Sequence, residues 1–466
     1  MKNHVVSPPA FRGLVSVVFA LSLTVAAWSQ TRGTQPNIIF IVADDLGYGD
    51  LSSYGRKDYK TPAIDRLASQ GIRFTQAYSG APVCTPSRVS FRTGRYPARI
   101  AVGLWEPLTA SPVDRAIGLP SEQPTVSSLL KKDGYATALI GKWHLGSSPE
   151  HHPNRHGFDE FFGTIEGATD YVSHVDPDGQ PDLFHNQEPV SRDGYLTDLL
   201  TEEAVSFITR SRTQPFFLSL QYTAPHWPWQ SPGDAPYPDT AAATGTNPPR
   251  RDPAASWTAG GSPETYAAMM KQLDDGIGAI LATLEKLGLR ENTLIIFTSD
   301  NGGEKFSSMD PFSGKKMQLR EGGIRVPAMM CWPGVLPAGR ETDQVIITMD
   351  WTATILAAAQ VNPAAGYAID GINALPICRG EVPIQLRTLG WRTFQRTQHQ
   401  ALRHGDWKYL RDGQNEFLFN VADDPAENRN LKGEQSERFE EIKNLYRHWE
   451  SQMLEPVSLQ GQSRNS

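Results

Sequence analysis

The chain has 466 residues, of which 39% are hydrophobic and 20% are charged, and its formal net charge is −7. This composition is typical of a globular protein, and the length fits one large domain with a smaller one. The mildly acidic balance argues against nucleic acid as a partner. With only three cysteines in this length, the fold does not need a disulfide framework.

The first stretch has the pattern of a cleavable signal peptide. Lys2 and Arg12 precede an apolar run over residues 14–28, and small residues lie near Ser29. A membrane anchor is the alternative, but the run is shorter than the ~20 residues that a spanning helix needs. We therefore expect residues 1–29 to be removed. The mature protein is then exported, periplasmic or extracellular, without stable membrane insertion.

Apolar runs that alternate with helical patterns predict an α/β fold in which helices cover both faces of a mainly parallel sheet. Gly71, Gly134 and Gly288 are predicted to end three of the helices. The interval 231–261, rich in Pro, Gly, Ala and Thr, is predicted to be an irregular surface insertion. The predicted strands are 37–43, 136–141, 216–222, 293–298 and 328–332, and the predicted helices are 62–70, 125–132, 191–210 and 263–287.

After about Gly371 the pattern changes to short strands, including 401–410 and 416–419, followed by a charged helix at 436–453. This predicts a small α+β C-terminal domain with an antiparallel sheet. We assign residues 30–378 to the catalytic domain and 379–466 to the C-terminal domain. Cys331 lies in a buried-strand pattern, which favours a core role. The sequence leaves open whether it pairs with Cys378.

Polar residues follow two of the predicted strands directly. Asp44 and Asp45 come after 37–43, and Asp300 and Asn301 come after the run Thr293-Leu-Ile-Ile-Phe-Thr-Ser. In open α/β sheets, sites form outside the carboxyl ends of the strands. Carboxylate and amide oxygens suit Ca²⁺, and no His-rich or Cys-rich spacing favours zinc. Each pair alone could simply cap a helix or turn, but two pairs in equivalent places favour a shared cation.

The segment Cys84-Thr-Pro-Ser-Arg88 has the residues of a helix start, since Pro86 and Ser87 favour the first turn. Cys84 then lies at a helix N-terminus, where the helix dipole favours an anion. Arg88, one turn further on, can donate to an oxyanion. The alternative is a partly buried cysteine beside a helix start.

Together with Thr93-Gly94-Arg95, this segment resembles the signature of the type I, formylglycine-dependent sulfatases. The likeness covers nearly the whole mature chain, and 170–190 resembles the N-acetylgalactosamine-6-sulfatase and arylsulfatase A branch most. Arg92 departs from the pattern, because the family usually has leucine there. The other matching segments are Gly141-Lys-Trp-His-Leu-Gly146, His156-Gly-Phe-Asp-Glu-Phe-Phe-Gly163, Thr223-Ala-Pro-His226, Lys316 with Glu321-Gly-Gly-Ile-Arg-Val-Pro327, and His404-Gly-Asp-Trp-Lys408.

The resemblance implies an alkaline-phosphatase-like fold and hydrolysis of a sulfate monoester, on a sulfated carbohydrate in this branch. It implies that a formylglycine-generating enzyme oxidises Cys84 to formylglycine, whose hydrate attacks sulfur. The implied Ca²⁺ ligands are Asp44, Asp45, Cys84 in its modified form, Asp300 and Asn301. The implied catalytic residues are Cys84, Arg88, Lys142, His144, His226 and Lys316. Lys315 is adjacent to Lys316, so that match can slip by one residue.

Two other functions fit parts of the sequence. One is a phosphate or phosphonate monoester hydrolase of the same superfamily, whose two-zinc members need further Asp and His ligands. Lys142, His144 and Lys316 occupy the places where a second metal would be expected, which favours the sulfatase. The other is a non-catalytic protein that binds sulfated glycans and keeps an unmodified Cys84.

Overall fold

A mixed β-sheet lies at the centre of a computed structural model that describes residues 1–4, 35–111, 113–237 and 257–457. The strands are β1 (Asn37–Ala43), β2 (Ile72–Phe74), β3 (Ala77–Tyr78), β4 (Ala136–Gly141), β5 (Glu160–Gly163), β6 (Phe184–His185), β7 (Glu188–Pro189), β8 (Phe216–Gln221), β9 (Thr293–Ser299), β10 (Ala328–Cys331), β11 (Arg340–Thr342), β12 (Ile346–Ile347), β13 (Thr388–Thr393), β14 (His399–His404), β15 (Trp407–Asp412) and β16 (Asn415–Asn420). The helices are α1 (Pro62–Gln70), α2 (Cys84–Thr93), α3 (Val126–Lys132), α4 (Leu196–Ser211), α5 (Pro263–Lys286), α6 (Glu321–Ile324), α7 (Thr348–Ala359), α8 (Leu375–Arg379) and α9 (Ser436–Glu450).

The central sheet has ten strands in the order β11-β2-β10-β9-β1-β8-β4-β5-β6-β7. The middle strands β9, β1, β8, β4 and β5 are all parallel, whereas β10 and β6 run antiparallel to their neighbours. Ala43 at the end of β1 pairs with Ser299, and Gly141 at the end of β4 pairs with Gln221. The carboxyl ends of β1, β4, β8 and β9 therefore lie side by side.

Helices cover both faces of this sheet. Along β1, Ile38 and Phe40 pack in a core with α2, α3 and α7, while Ile39 and Ile41 pack on the opposite face with α1, α4 and α5. Successive side chains of a strand point to opposite faces, so a strand buried on both sides is apolar throughout. This explains the continuous apolar runs in the sequence and confirms the predicted α/β sandwich.

The C-terminal region forms a second, antiparallel sheet in the order β13-β14-β15-β16. One face of it contributes Trp391 and Leu410 to a core shared with Tyr78 and Ile324 of the catalytic region. Helix α9 packs on the other face. The predicted antiparallel C-terminal sheet is confirmed, whereas the domain boundary at residue 378 stays a prediction.

Several element boundaries differ from the prediction for identifiable reasons. Helix α4 starts at Leu196 rather than at 191, because Gly194 before it has a φ of +136°, outside the helical range. Gly134 and Gly288 have the positive φ expected after a helix. Gly71 does not: its φ is −144°, and a Cβ there would lie 2.3 Å from the Met330 carbonyl oxygen. Close packing, rather than a left-handed cap, requires this glycine.

Three further predictions can be placed against the described residues. The three cysteines are all free, and Cys331 is fully buried in β10 as expected. No described helix is both long and apolar enough to cross a membrane. Most of the expected signal peptide, residues 5–29, and the middle of the expected insertion, residues 238–256, lie outside the described residues.

Candidate active site

The ends of the parallel strands bring the predicted site residues together. Asp44 and Asp45 follow β1, Asp300 and Asn301 follow β9, and Cys84 is the first residue of α2. The remaining predicted residues come from the segments after β4 and β8, from α2 and from the loop before α6; they are Arg88, Lys142, His144, His226 and Lys316. All ten side chains are buried.

Cys84 lies at the centre of this group. Its Sγ is 3.5 Å from Oδ1 of Asp44 and 3.9 Å from Oδ1 of Asp45. Burial raises the pKa of the Cys84 thiol well above its ordinary value, although the charges of Lys142 and Lys316 oppose this shift. As encoded, the side chain is therefore a neutral thiol at the N-terminus of a ten-residue helix.

Asp44 is held by two cations. The Nζ of Lys142 lies 2.6 Å from its Oδ2, and an Nη of Arg88 lies 3.1 Å from its Oδ1. Burial alone would raise the pKa of Asp44, but the positive charges around it, Lys142 first, lower that pKa well below the ordinary value. Asp44 is therefore ionised, and its charge orients Lys142 and Arg88 beside Cys84.

Asp45, Lys316 and His226 form a second group. The Nζ of Lys316 lies 2.7 Å from Oδ2 of Asp45 and 3.3 Å from Nε2 of His226. The pKa of Lys316 is raised well above its ordinary value because Asp45 and other negative groups outweigh burial. Burial and the charge of Lys316 lower the pKa of His226 to about 3. At neutral pH, Lys316 is charged and His226 is neutral.

The hydrogen bonds of His226 assign its tautomer. Its Nδ1 lies at hydrogen-bond distance from the carbonyl oxygen of Trp227, which can only accept, so Nδ1 carries the proton. The lone pair of Nε2 then accepts from Lys316. The structure also places Lys316, and not the exposed Lys315, in the site.

His144 lies beside the group rather than within it. Its Nε2 is hydrogen-bonded to the carbonyl oxygen of Leu108 at 3.0 Å, which leaves Nδ1 buried without a partner among the described residues. Burial lowers its pKa well below the ordinary value, and nearby Lys142 adds to the shift. Gly167 faces the ring so closely that a Cβ there would lie 2.7 Å from Nε2. This close packing fixes the orientation of the imidazole.

Asp300 and Asn301 complete the acidic side of the site. Oδ1 of Asp300 accepts a hydrogen bond from the Asp45 amide at 3.2 Å, and Oδ2 accepts from Arg88 at 2.9 Å. Burial, together with the charge of Asp44, raises the pKa of Asp300 to about 7. Asn301 donates to Asp45 at 2.7 Å, but its fully buried Oδ1 has no hydrogen-bond partner in the part of the chain that the structure describes.

Unusual backbone conformations occur at the site. Asp45, His144 and Met317 have φ values of 62°, 57° and 73°, in the left-handed region that non-glycine residues rarely adopt. Such residues cost about 1–3 kcal/mol each, and the surrounding structure must hold them in place. Strain of this kind often accompanies a functional site.

The sequence matches a family model described as Sulfatase over residues 36–361, more than half of the chain. The chain belongs to the sulfatase family. A second model, described as N-sulphoglucosamine sulphohydrolase, C-terminal, matches residues 312–454. The two models together cover the central sheet and the C-terminal sheet of the sulfatase, in agreement with the resemblance.

Relatives with known names agree with this assignment. The sulfatase is 34% identical to N-acetylgalactosamine-6-sulfatase of Mus musculus over 392 residues, covering 79% of this chain and 70% of the relative. It is 31% identical to steryl-sulfatase of Rattus norvegicus over 462 residues, covering 81% and 74%. A crystal structure of Ps i-CgsB in complex with k-i-k-neocarrahexaose has a TM-score of 0.79 at 31% identity, covering 91% and 95%. The expected sulfatase enzyme and its alkaline-phosphatase-like fold are confirmed.

The donor set of the sulfatase fits a hard divalent cation. Carboxylate oxygens of Asp44 and Asp45, Sγ of Cys84 and a ring nitrogen of His226 all lie within 4.8 Å of one another. The unpartnered Oδ1 of Asn301 adds an amide oxygen, and such oxygens suit Ca²⁺. The three carboxylates among the predicted site residues are matched by three cations, so a bound Ca²⁺ would leave net positive charge for an anion. The carboxylates are Asp44, Asp45 and Asp300, and the cations are Arg88, Lys142 and Lys316.

Sequence reasoning missed three contributors to the site. Gln221 ends β8, and its Oε1 lies 3.4 Å from Nη1 of Arg88. Glu304 lies 3.6 Å from Lys316. The Leu108 carbonyl orients His144. Gln221 could have been predicted from the sequence, because it is a polar residue at the carboxyl end of an apolar strand. Leu108 could not, because it contributes only its main-chain carbonyl.

Proposed function

We propose that this sulfatase hydrolyses sulfate monoesters of a carbohydrate, using a formylglycine formed from Cys84 and a Ca²⁺ ion. The observation that carries the proposal is the setting of Cys84. It lies at a helix N-terminus, against two carboxylates, with Arg88, Lys142 and Lys316 around it. When present, the formylglycine supplies a hydrated aldehyde as the nucleophile, and Ca²⁺ supplies positive charge against the sulfate oxygens.

The proposed Ca²⁺ ligands are the oxygen donors of Asp44, Asp45, Asp300 and Asn301 with the modified side chain at position 84. In support, the buried side-chain oxygen of Asn301 has no partner among the residues described, and burial raises the pKa of Asp300. A nearby cation would relieve both conditions. Arg88 and Lys142, which are bonded to these carboxylates, would add positive charge toward the sulfate oxygens.

The proton inventory suits ester cleavage. Lys316 is charged and donates to the neutral His226, so this pair holds a proton at one edge of the site. We assign to it protonation of the departing alcohol. The buried Nδ1 of His144 has no hydrogen-bond partner within the described ranges, and we propose that it accepts the proton of the nucleophile. Positioned proton transfer of this kind contributes about 10²–10⁴-fold in rate.

The proposed substrate class rests on relatives. One has N-acetylgalactosamine-6-sulfatase as its name, and another was crystallised with a neocarrahexaose. The signal-like pattern of residues 1–29 supports export to the periplasm or the cell exterior, where such glycans occur. We also propose that a formylglycine-generating enzyme acts on the chain before it folds, since Cys84 is 1% exposed in the folded protein.

Mass spectrometry of the peptide that contains Cys84, after co-expression with a formylglycine-generating enzyme, tests the modification. The same sample is assayed with 4-nitrophenyl sulfate, 4-nitrophenyl phosphate and a panel of defined sulfated oligosaccharides. We expect converted protein to prefer sulfate and to desulfate at least one oligosaccharide. Cys84→Ala is expected to fold normally and to be inactive. Cys84→Ser is the matched control and should be nearly as inactive, because serine cannot form the hydrate. Near-normal turnover by Cys84→Ala, or preference for phosphate, would contradict the proposal.

A further inference from the structure

Lys316 reaches the active site from a loop, residues 313–320, which we call the Lys316 loop. On its inner side the loop is bound to the catalytic region by main-chain hydrogen bonds. The Lys316 amide donates to the Gly303 carbonyl at 3.1 Å, and the Met317 amide donates to the Pro82 carbonyl at 2.8 Å. Met317 adopts a left-handed conformation. The Gly322 amide of α6 also donates to the Ser313 carbonyl at 2.7 Å, at the start of the loop.

The C-terminal region adds further bonds at both ends of the loop. One carboxylate oxygen of Glu427, which follows β16, accepts from the Glu321 amide at 2.7 Å and from the Ser313 hydroxyl at 3.3 Å. The Glu427 carbonyl oxygen accepts from the Arg320 guanidinium at 3.2 Å. Thr397, which precedes β14, donates its hydroxyl to the Met317 carbonyl at 3.3 Å. Contacts from the C-terminal region thus reach the start, middle and end of the Lys316 loop.

A buried ion pair fixes Glu427 itself. The Nζ of Lys408 on β15 lies 3.0 Å from Glu427 and 2.8 Å from Glu321, and all three side chains are completely buried. Glu321 also bonds to Tyr78 and Arg325. Since a buried charge without a partner is costly, these groups have one favourable arrangement. That arrangement sets where α6 begins and where the Lys316 loop ends.

We propose that Lys408 and Glu427 are positioning residues that hold the Lys316 loop so that Lys316 meets Asp45 and His226. The inference rests on the proposed function, because it gives the Lys316–His226 pair its role toward the leaving alcohol. Neither Lys408 nor Glu427 touches the reacting atoms. A displacement of about 1 Å of a catalytic group can cost on the order of 10²-fold in rate.

Comparing two substrates with different leaving groups distinguishes a positioning role from a general effect on stability. A nitrophenolate departs readily without a proton, whereas a sugar alcohol needs one, so a misplaced Lys316–His226 pair slows sugar sulfates selectively. Glu427→Gln keeps the shape of the side chain and removes its charge. We expect its kcat to fall about tenfold or more on a sugar sulfate and less than about threefold on 4-nitrophenyl sulfate, with little change in either KM.

Lys443→Met is the matched control, because Lys443 forms an ion pair with Glu416 in the same domain at 2.7 Å, away from the Lys316 loop. It should leave the sugar-to-aryl ratio, which is kcat on the sugar sulfate divided by kcat on 4-nitrophenyl sulfate, at the wild-type value. Hydrogen exchange should be faster in peptides of residues 313–320 in Glu427→Gln and unchanged in Lys443→Met. Equal loss on both substrates, or no loss, in folded Glu427→Gln would overturn the inference.

If Glu427→Gln does not fold, Ser313→Ala gives the same test, since it removes only the side-chain bond from the start of the loop to Glu427 and keeps the main-chain bond to Gly322. Its sugar-to-aryl ratio should fall in the same direction, and an unchanged ratio would count against the positioning role. Failure of the proposed function would look different, because the wild-type enzyme itself would then turn over no sulfate ester.

Discussion

The ammonium nitrogen of Lys142 lies 2.6 Å from Oδ2 of Asp44, and both side chains are almost completely buried. Buried ion pairs contribute little net stability, because desolvation offsets the attraction between the charges. This pair nevertheless holds a positive charge beside position 84, where a sulfate group would bind. Lys142 is therefore better explained by ligand binding than by stability.

Replacing Lys142 with methionine keeps most of the side-chain volume and removes the charge. We expect kcat/KM for a sulfate ester to fall by about 10²–10³-fold, the usual cost of losing one preorganised donor to an oxyanion. Inhibition by inorganic sulfate should weaken in parallel, because the product carries the same oxygens. Steady-state kinetics with sulfate as the competing ligand measures both.

Lys131→Met is the matched control for that variant. Lys131 forms an ion pair with Asp159 at 2.7 Å, but it is half-exposed and lies on α3 away from the site. It should leave kcat/KM and sulfate inhibition unchanged. A Lys142→Met enzyme within threefold of wild type would show that the charge is dispensable.

Calcium binding should be detectable as stabilisation, independently of activity. A ligand that binds only the folded state at 100 times its Kd adds about 2.7 kcal/mol of stability. We expect CaCl₂ to raise the Tm of the wild-type protein and a chelator to lower it. Asp300→Asn should lose most of this shift, since it removes one carboxylate from the donor set.

Asp159→Asn provides the comparison, because its side chain is partly exposed and pairs only with Lys131 among the ion pairs of the described residues. It should keep the full calcium shift in a thermal melt. If Asp300→Asn responds to calcium as the wild type does, Asp300 is not a ligand.

The sequence predicted the central strands well because they obey a local rule. β1 and β4 are buried on both faces, so each is a mostly apolar run, with Thr137 as the polar exception inside β4, that ends where polar residues begin. The predicted bounds of both strands matched to the residue. The pairs after β1 and β9 converge because parallel strands share one edge. Position in the chain and residue type were sufficient for this part of the site.

Contacts between distant segments could not be predicted in that way. Glu427 binds the Glu321 amide across 106 residues, and nothing in either local pattern indicates the other. The choice between Lys315 and Lys316 depends on which side chain faces inward from an irregular loop, where no periodicity applies. Main-chain partners such as the Leu108 carbonyl leave no trace in residue type.

Asp182 should give the protein a specific pH dependence of stability. It is 2% exposed, accepts hydrogen bonds from the Ile165 and Glu166 amides, and forms no ion pair in the described part of the chain. Burial raises its pKa to about 8. Between about pH 4 and 8 the folded state keeps a proton that the unfolded state has released, so stability falls as pH rises.

Asp182→Asn removes this titration while keeping an oxygen for the two amides. We expect the difference in unfolding free energy, variant minus wild type, to grow by on the order of 1 kcal/mol per pH unit from pH 5 to 8 and then level off. Urea unfolding at a series of pH values measures the slope. Parallel curves for the two proteins would show that Asp182 ionises normally.

Arg92, at the place where the family usually has leucine, should destabilise the fold. It is 1% exposed and donates to the Ser219 hydroxyl at 2.8 Å, but its Nε and Nη2 have no hydrogen-bond partner in the described part of the protein. The rings of Phe91, Trp143 and Phe158 surround it. Burial, with the charge of nearby Arg88, lowers its pKa well below the ordinary value.

Arg92→Leu should therefore raise the free energy of unfolding by about 1–4 kcal/mol, the range seen when buried charged groups are replaced by apolar ones. Ser219 would keep a donor, because Gln221 bonds to it at 2.9 Å. Arg403→Leu is the matched control: that buried guanidinium bonds to Tyr78, Gln76 and the Gly405 carbonyl, so its loss should destabilise. Unfolding of both variants in guanidinium chloride measures these free energies. If Arg92→Leu destabilises the protein as Arg403→Leu does, the buried Arg92 is fully hydrogen-bonded and the prediction is wrong.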